Sequence, residues 1–134
     1  EATNGKLYGL HVQGGANGRG TLYEFEIATK VLLTKVDFAN SIGTQPNGSL
    51  TALPNGKLFG VAPYGGANFS GTLFEYDPSN ETLTKKADFE SSSLGKYPMG
   101  SLLIATNGNL LGLTSKGGIN DSGVLFEYNL SNNT

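Results

Sequence analysis

The sequence contains no cysteine and no tryptophan, and it has a single histidine, a single methionine and a single arginine among 134 residues. The absence of cysteine excludes disulfide bonds, thiolate nucleophiles and zinc sites with cysteine ligands. With His11 alone, the chain cannot build a metal site from several histidines. No nucleophile motif lies near His11, so a Ser-His-Asp triad cannot be assembled either.

Positive charge and long apolar runs are also scarce. The formal net charge is −2, and the eight lysines are scattered along the chain. Without a basic stripe to neutralise phosphates, nucleic acid is not an expected partner. The longest apolar run, residues 102–105, is far too short to cross a bilayer. We therefore expect no membrane insertion.

Glycine, in contrast, is abundant, at 20 of 134 residues against a usual share of ~7%. The glycines recur at fixed offsets because one string is written three times, 51 and 52 residues apart: GGANGRGTLYEFE (14–26), GGANFSGTLFEYD (65–77) and GGINDSGVLFEYN (117–129). NGKLYGL (4–10), NGKLFGV (55–61) and NGNLLGL (107–113) recur in the same way. Such a period predicts a repeat architecture.

Each copy is predicted to form four short strands. The first is SLTAL or SLLIA, and Asn-Gly is predicted to form a two-residue hairpin turn before the second, KLFGVAP. The third, GTLFEYD, alternates, with Thr72, Phe74 and Tyr76 on one face. The fourth, TLTKKADF, is rich in threonine and lysine, and no segment has helical periodicity.

Two features favour blades of a β-propeller, each of four antiparallel strands. Polarity rises from the first strand to the fourth, and the longest connections join a fourth strand to the next first strand. One repeat domain, 1–134, would then hold approximate blades 1–45, 46–97 and 98–134, the first without its first strand and the third without its last. Propellers close with about four to eight blades. The chain is thus expected to be a piece of a longer repeat protein or to complete a ring as a homo-oligomer. A β-trefoil is the alternative fold.

The combination of NGxLYG, GGANxxGTLFEY and TLTKxxDF at about 50 residues resembles the GloVer (Gloeo-Verruco) tandem repeat of large bacterial extracellular proteins. More loosely, YDPSNETL (76–83) is similar to kelch blades, although the kelch tryptophan is missing. The resemblance implies a propeller-like fold and a secreted or cell-surface bacterial protein. It brings no established catalytic residue.

Candidate ligand-binding residues lie in the loops between second and third strands and in the connections between blades. In antiparallel sheets these segments emerge at the same end. Inside the fixed loop frame two positions vary between copies, where a binding protein would place specificity. The candidates are Asn17, Arg19, Asn68, Phe69, Tyr97, Asn120 and Asp121, with Ser91, Ser92 and Ser93 in a long connection nearby. Amides could bind a sugar or a calcium ion, and loop aromatics could stack on sugar rings. The alternative is structural: Gly-Gly supplies unusual backbone angles and asparagine bonds its own turn.

Carboxylates at repeated positions are interpreted as structural. Glu24, Glu75 and Glu127 are expected to pair with fourth-strand lysines such as Lys35 or Lys85. Asp37 and Asp88 are expected to cap turns, and His11 to pack or lie at the surface. Identical groups in every copy do not converge as catalysis requires.

Three hypotheses follow. The first is a non-catalytic extracellular module that binds carbohydrate or a surface polymer. The second is a structural spacer in a large surface protein, and the third is an enzyme with a site between blades or chains. We favour the first, expect no catalytic residue and expect no cofactor other than calcium.

Overall fold

The computed structural model describes residues 1–90 and 95–134. Within these ranges, ten strands form three antiparallel sheets, and strands that follow one another in a sheet's sequence are paired in that sheet. The first sheet contains β1 (Leu7–His11), β2 (Thr21–Glu26) and β3 (Val31–Asp37). The middle sheet contains β4 (Asn47–Ala52), β5 (Leu58–Ala62), β6 (Thr72–Asp77) and β7 (Thr82–Asp88). The third contains β8 (Lys96–Ile104), β9 (Leu110–Lys116) and β10 (Leu125–Tyr128). No helix occurs in these two ranges, so the predicted all-β class is confirmed.

The Asn-Gly turns differ from the expected two-residue hairpin. Between β4 and β5, the Leu53 amide donates to the Lys57 carbonyl oxygen at 2.8 Å, and the Gly56 amide donates to the Leu53 carbonyl oxygen at 2.9 Å. The loop is therefore three residues long. Only Gly56, at φ 85°, lies in the left-handed region, as in a type I turn followed by a glycine bulge. Asn55 instead accepts the Lys57 amide through its side chain.

The middle sheet lies between the other two and is covered on both faces. Alternate residues of β5 point to opposite sides: Leu58 and Ala62 enter the core shared with the first sheet, whereas Phe59 and Val61 enter the core shared with the third. Every residue of β5 is buried in consequence. Two separate apolar cores thus hold three sheets, as an inner element of a stacked repeat requires.

The two cores repeat the same aromatic contact. Phe38 and Phe74 meet edge to face with ring centroids 5.1 Å apart, and Phe89 and Phe126 do so at 4.8 Å. Here we call positions aligned when they coincide at the offsets of 51 and 52 residues. The two contacts are equivalent, because Phe38 aligns with Phe89 and Phe74 aligns with Phe126. Such pairs stabilise by about 0.5–1.5 kcal/mol beyond their buried area.

Glycine is required beneath two of these rings, Phe74 and Phe126. A Cβ atom built at Gly60 of β5 would lie 2.5 Å from Cζ of Phe74, on the neighbouring strand β6. Gly112 lies in the same way beneath Phe126, and Gly9 beneath Tyr23. The φ angle of Gly60 is not positive. The requirement at this position is therefore space for the ring and not backbone freedom.

Candidate functional site

One end of the three sheets, which we call the loop end, carries residues 12–20, 38–46, 63–71 and 117–124 and the beginning of β8. Backbone hydrogen bonds join its segments. The Gln45 amide donates to the Arg19 carbonyl oxygen at 2.8 Å, and the Tyr97 amide donates to the Ser70 carbonyl oxygen at 2.7 Å. The loops and the connections between sheets therefore meet at this end, as antiparallel pairing predicts.

The Gly-Gly loops are capped by aspartates from the ends of β3 and β7. Gly65 and Gly66 both have φ 78°, and a Cβ at Gly66 would collide with the Asp88 carboxylate. Because the glycine leaves that space open, Asp88 accepts the Ala67 amide at 2.7 Å. Asp37 accepts the aligned amide of the first loop at 2.9 Å. The predicted capping role of both aspartates is confirmed.

The loop asparagines of the first two copies make equivalent contacts. The side-chain amide of Asn17 donates to the Phe38 carbonyl oxygen at 3.0 Å, and that of Asn68 donates to the Phe89 carbonyl oxygen at 3.4 Å. These contacts fit the structural interpretation of the loops. Ligand binding by the two residues stays a prediction, and it would use their side-chain oxygens or the second amide hydrogen, because one N–H of each amide already has a partner.

The third loop is different, because Asp121 there acts within its own loop. Its carboxylate accepts the Gly117 amide at 2.8 Å and lies 3.6 Å from the Lys96 ammonium and 3.8 Å from the Lys116 ammonium. The Gly117 hydrogen bond, with smaller contributions from both lysines, holds the pKa of Asp121 below its ordinary value. Asn120 is exposed, and its carbonyl oxygen accepts the Ser122 hydroxyl at 3.2 Å, whereas its side-chain amide has no hydrogen-bond partner in the part of the chain that the structure describes.

Aromatic side chains form the most distinctive surface of the loop end. Phe69 is 70% exposed and has φ 52°, an uncommon conformation for a bulky residue. Tyr97 was expected in a loop, but it lies in β8, because strand pairing begins before it: Gly95 bridges to Glu90, and Lys96 pairs with Lys116 of β9. The φ angle of Tyr97 is 58°. Its ring is half-buried and stands 5.5 Å from the ring of Tyr64, which is 46% exposed.

Tyr64 was missed by the sequence interpretation. Variation between the copies could have indicated it, as it did for the loop positions. Tyr64 stands just before Gly-Gly, and the aligned residues of the other copies are Gln13 and Lys116. The Thr44 amide donates to the Tyr64 carbonyl oxygen at 2.7 Å, and Thr44 precedes Gln45, the partner of Arg19. Backbone contacts thus connect Arg19, Tyr64 and Tyr97 along the loop end. Positions 91–93 lie outside the described residues.

The repeated glutamates are paired, although not with Lys35 or Lys85. The fourth-strand Lys86 lies 3.9 Å from Glu75, which agrees with the expected class of partner. Lys6 and Lys57 donate to Glu24 and Glu75, each at 2.8 Å. Lys6 immediately precedes β1 and Lys57 immediately precedes β5. The antiparallel pairing of these strands with β2 and β6 brings each lysine beside the glutamate of the paired strand. Lys35 instead pairs with Glu81, and Lys85 with Asp88. Burial opposes ionisation of Glu24, yet hydrogen bonds from Lys6 and Tyr8 hold its pKa below the ordinary value.

The third glutamate, Glu127, has amide partners. Asn107 and Asn109 donate to its carboxylate at 2.9 and 2.7 Å, and Asn109 occupies the position aligned with Lys6 and Lys57. These hydrogen bonds, that of Asn109 first, lower the pKa of Glu127.

Within residues 1–90 and 95–134, no three His, Cys, Asp or Glu side chains lie close enough together to hold a metal ion. A calcium ion at the loop end would therefore depend on amide and backbone oxygens. In the same ranges no helix has the length and apolar character needed to cross a membrane.

His11 lies at the surface, where its ring stacks on the ring of Tyr23 with centroids 4.5 Å apart.

The fold and the loop end define an all-β protein of three antiparallel sheets. Among solved structures, the chain is similar to TolB from Acinetobacter baumannii, with a TM-score of 0.55 and 17% identity over 87% of this chain and 25% of that one. At this identity the likeness shows the fold alone, that of a β-propeller protein. The chain spans about a quarter of the length of TolB.

The family model described as the Gloeobacter/Verrucomicrobia repeat matches residues 1–134. The chain belongs to this repeat family, and the resemblance drawn from its motifs is confirmed. No curated protein matches the sequence.

Proposed function

We propose that the chain is a non-catalytic module of a secreted or cell-surface bacterial protein, and that it binds carbohydrate or a surface polymer through the loop end. The observation that carries the proposal is the set of aromatic residues at the loop end: the rings of Tyr64 and Tyr97 lie 5.5 Å apart, and Phe69 is 70% exposed. Neither apolar core contains any of the three. Exposed aromatic rings beside amides and charges suit the alternating apolar and polar faces of a sugar ring.

We further propose that each sheet is one blade of a β-propeller with a period of about 51–52 residues, loosely kelch-like. The stacking of separate sheets on two cores and the likeness to TolB support this assignment. A β-trefoil, whose three copies would share one barrel, receives no support from three separate sheets. In a propeller the loop end would be one face of the ring, where several copies could present equivalent loops to one polymer.

The polar groups around the aromatic residues are suitable for orienting a ligand. The Ser115 hydroxyl lies 3.2 Å from the Tyr97 carbonyl oxygen, and Lys96 pairs with Asp121 next to it. A neutral or anionic sugar polymer could meet the tyrosine rings with its apolar face and Lys96 or Lys116 with its polar groups. The two asparagines with engaged amides, Asn17 and Asn68, would contribute less than Tyr97.

The test is binding of soluble oligosaccharides, cellohexaose and chitohexaose, and of xylan and alginate, followed by isothermal titration and by amide chemical shifts. The best variants exchange each aromatic residue for its aligned counterpart in the first copy: Tyr64→Gln, Phe69→Gly and Tyr97→Gln. The aligned Gln45 and Gly18 have φ of 56° and 63°, so these replacements suit the local backbone.

We expect saturable binding of at least one polymer and a loss of at least about fivefold in affinity for Tyr97→Gln, if a sugar ring stacked on tyrosine gains about as much as a stacked nucleic-acid base, roughly 1–3 kcal/mol. Tyr23→Phe, on the outer face of the first sheet, is the matched control and should bind normally. Equal binding by all variants would place the contact elsewhere. No binding by the wild-type chain would favour a structural spacer.

The spacer hypothesis has one specific observation in its favour. The capping aspartates and the amides of Asn17 and Asn68 are all engaged within the fold, so much of the repeated loop sequence is explained without a ligand. A spacer would bind none of the probes. An enzyme with a site between blades or chains is the least favoured alternative, because the dissimilar groups that converge among the described residues of the loop end, Asp121 with Lys96 and Lys116, are paired with one another.

A further inference from the structure

A polar pocket of about 230 Å³ lies at the end of the sheets opposite the loop end, which we call the turn end. Three turns from two neighbouring copies form it: Thr3 and Asn4 before β1, Asn55 and Gly56 between β4 and β5, and residues 77–79 at the end of β6. The two copies approach closely here, because a Cβ atom built at Gly56 would lie 3.1 Å from the Thr3 hydroxyl oxygen. The pocket therefore belongs to the junction between the first and middle sheets.

The turns that form the pocket are closed by hydrogen bonds of their own. In the first, the Gly5 amide donates to the Ala2 carbonyl oxygen at 3.0 Å, as the aligned amide does in the Asn-Gly turn between β4 and β5. In the turn after β6, the Ser79 amide donates to the Asp77 carboxylate at 2.9 Å. The walls of the pocket are thus held in place by local contacts of the chain.

The carboxylate of Asp77 supplies an acceptor to the pocket. Its Oδ1 atom accepts the amide of Ser79 and also the Ser79 hydroxyl, at 2.6 Å. These hydrogen bonds, that of the hydroxyl first, hold the pKa of Asp77 below its ordinary value, so the carboxylate is ionised at neutral pH. The Oδ2 atom has no hydrogen-bond partner among residues 1–90 and 95–134. An ionised oxygen is a stronger acceptor than a neutral one.

Two other side chains supply donors, and a proline supplies an apolar wall. The side-chain oxygen of Asn55 accepts the Lys57 amide at 3.1 Å, whereas its NH₂ group has no partner in the described part of the chain. The Thr3 hydroxyl is free in the same sense. Pro78 completes the lining with its ring. One charged acceptor, two donors and an apolar ring therefore face one small space.

This combination favours a neutral sugar over an ion. Sugar hydroxyls both donate and accept, so they can satisfy a carboxylate and an amide together, while a C–H face of the ring lies against a proline. The charge of Asp77 disfavours an anion. Calcium takes about 6–8 oxygen ligands, and no three acidic or histidine side chains converge in the described ranges. The volume is below the ~300–1,000 Å³ of pockets for drug-sized ligands, so it suits one sugar unit.

We propose that the turn-end pocket binds one neutral pyranose unit, either a free monosaccharide or the terminal unit of a glycan. Asp77 accepts hydroxyl groups of the sugar, and Asn55 and Thr3 donate to its oxygens. This site is separate from the loop end and does not rest on binding there.

The aligned junction between the middle and third sheets lacks these groups. Its residues at the positions of Thr3, Asp77 and Pro78 are Pro54, Asn129 and Leu130. Asn129 accepts the Ser131 amide at 2.8 Å, so the same turn forms with asparagine in place of aspartate. Pro54 likewise occupies its turn without a hydroxyl. The chain thus supplies replacements that remove the ligand-binding groups and retain the turns.

The test is a titration of the intact chain with glucose, galactose, mannose and N-acetylglucosamine, and with their methyl glycosides, up to tens of millimolar. Binding is followed by the amide chemical shifts of Asn4, Asn55 and Ser79. We expect at least one sugar to shift these amides saturably. Asp77→Asn should weaken binding at least about tenfold, because a hydrogen bond to a charged group is lost. Thr3→Pro should weaken it about two- to tenfold.

Two control variants should bind the sugar normally. Asn129→Asp changes the aligned turn of the third copy, and Tyr97→Gln changes the loop end, so binding here is distinguished from binding there. Methyl glycosides that bind at least as well as the free sugars would assign the terminal unit of a glycan, and a preference for free sugars would assign a monosaccharide.

Three results would overturn the proposal. The first is the absence of saturable shifts at the turn end with every sugar. The second is unchanged affinity in Asp77→Asn with an unchanged Tm, because the carboxylate would then make no contact with the sugar. The third is displacement of the sugar by calcium chloride with shifts at the same amides, because the pocket would then be a cation site.

Discussion

The close approach of Phe74 to Gly60 gives a test of how the middle sheet packs on the first. A Cβ at Gly60 would lie 2.5 Å from Phe74 Cζ and 3.0 Å from Leu50 Cδ2, whereas carbon atoms in contact prefer roughly 3.5–4.0 Å. In Gly60→Ala, therefore, the ring or the strand must move by about 1 Å. Phe74 has no exposed surface and is held edge to face by Phe38, so the movement disturbs the core.

Overpacking of this kind costs about 1–3 kcal/mol. Alanine restricts the unfolded chain more than glycine and returns about 0.4–1 kcal/mol. We expect a net loss of about 1–2 kcal/mol in the free energy of unfolding, measured by urea denaturation, and a fall in Tm of roughly 3–10 °C. In a Phe74→Leu background the same substitution should cost less, because the ring is gone.

Gly9→Ala is the matched control. Gly9 is aligned with Gly60, and a Cβ there would collide with the far end of the Tyr23 side chain. Tyr23 is half-buried on the outer face of the first sheet, so its ring can swing toward solvent. We expect a change within about 0.5 kcal/mol. An equal loss of stability in both variants, or no loss in Gly60→Ala, would refute the argument that an added Cβ atom is costly on a covered sheet face and tolerated on an open one.

Two further predictions concern the ion pairs and the capped loops. Because the folded pKa of Glu24 lies below its ordinary 4.5, its contribution to stability is present above about pH 4.5 and is lost as the pH falls through the folded pKa. Tyr8→Phe removes one hydrogen-bond donor to Glu24, so the pKa of Glu24 measured by NMR should rise toward 4.5. The fall in stability between pH 6 and pH 3 should become smaller. An unchanged pKa of Glu24 would contradict the assigned hydrogen bond. Asp88→Ala should lose about 1 kcal/mol, the net value of an ordinary hydrogen bond, and should speed hydrogen exchange at Ala67. Asp88→Asn retains an acceptor oxygen and should lose less, and equal losses would mean that the Lys85 ion pair matters more than the cap.

Much of the architecture could be predicted from the sequence because the repeat is explicit. The positions of the ten strands and the alternation of Leu73 and Phe74 between two cores follow from period and pattern alone. The prediction of a two-residue turn at Asn55 was wrong, because Asn-Gly is compatible with several loop lengths. The hydrogen bonds of Leu53 show that the loop has three residues.

The candidate site was less predictable, because it depends on which segments of different copies meet. Tyr64 and Tyr97 are 33 positions apart in the sequence. Tyr64 lies in the loop after β5 of the middle sheet and Tyr97 in β8 of the third, and no local pattern indicates that their rings are neighbours. The closer partner of Glu75, Lys57, was also missed, although the fourth-strand Lys86 lies 3.9 Å from Glu75. Whether a strand residue meets Lys57 or Lys85 depends on strand register and side-chain reach, which composition does not specify.

Each internal sheet face in this molecule fits the opposite face of the next copy, through contacts such as Phe38 with Phe74 and Phe89 with Phe126. A copy with two mutually complementary faces needs no specialised neighbour. Duplication or loss of one unit in a gene would therefore conserve every remaining interface, because the flanking units present the surfaces that the altered junction requires. The same geometry restrains divergence: a change at one such position must suit the neighbouring copy as well as its own, which couples the evolution of adjacent units and favours their similarity.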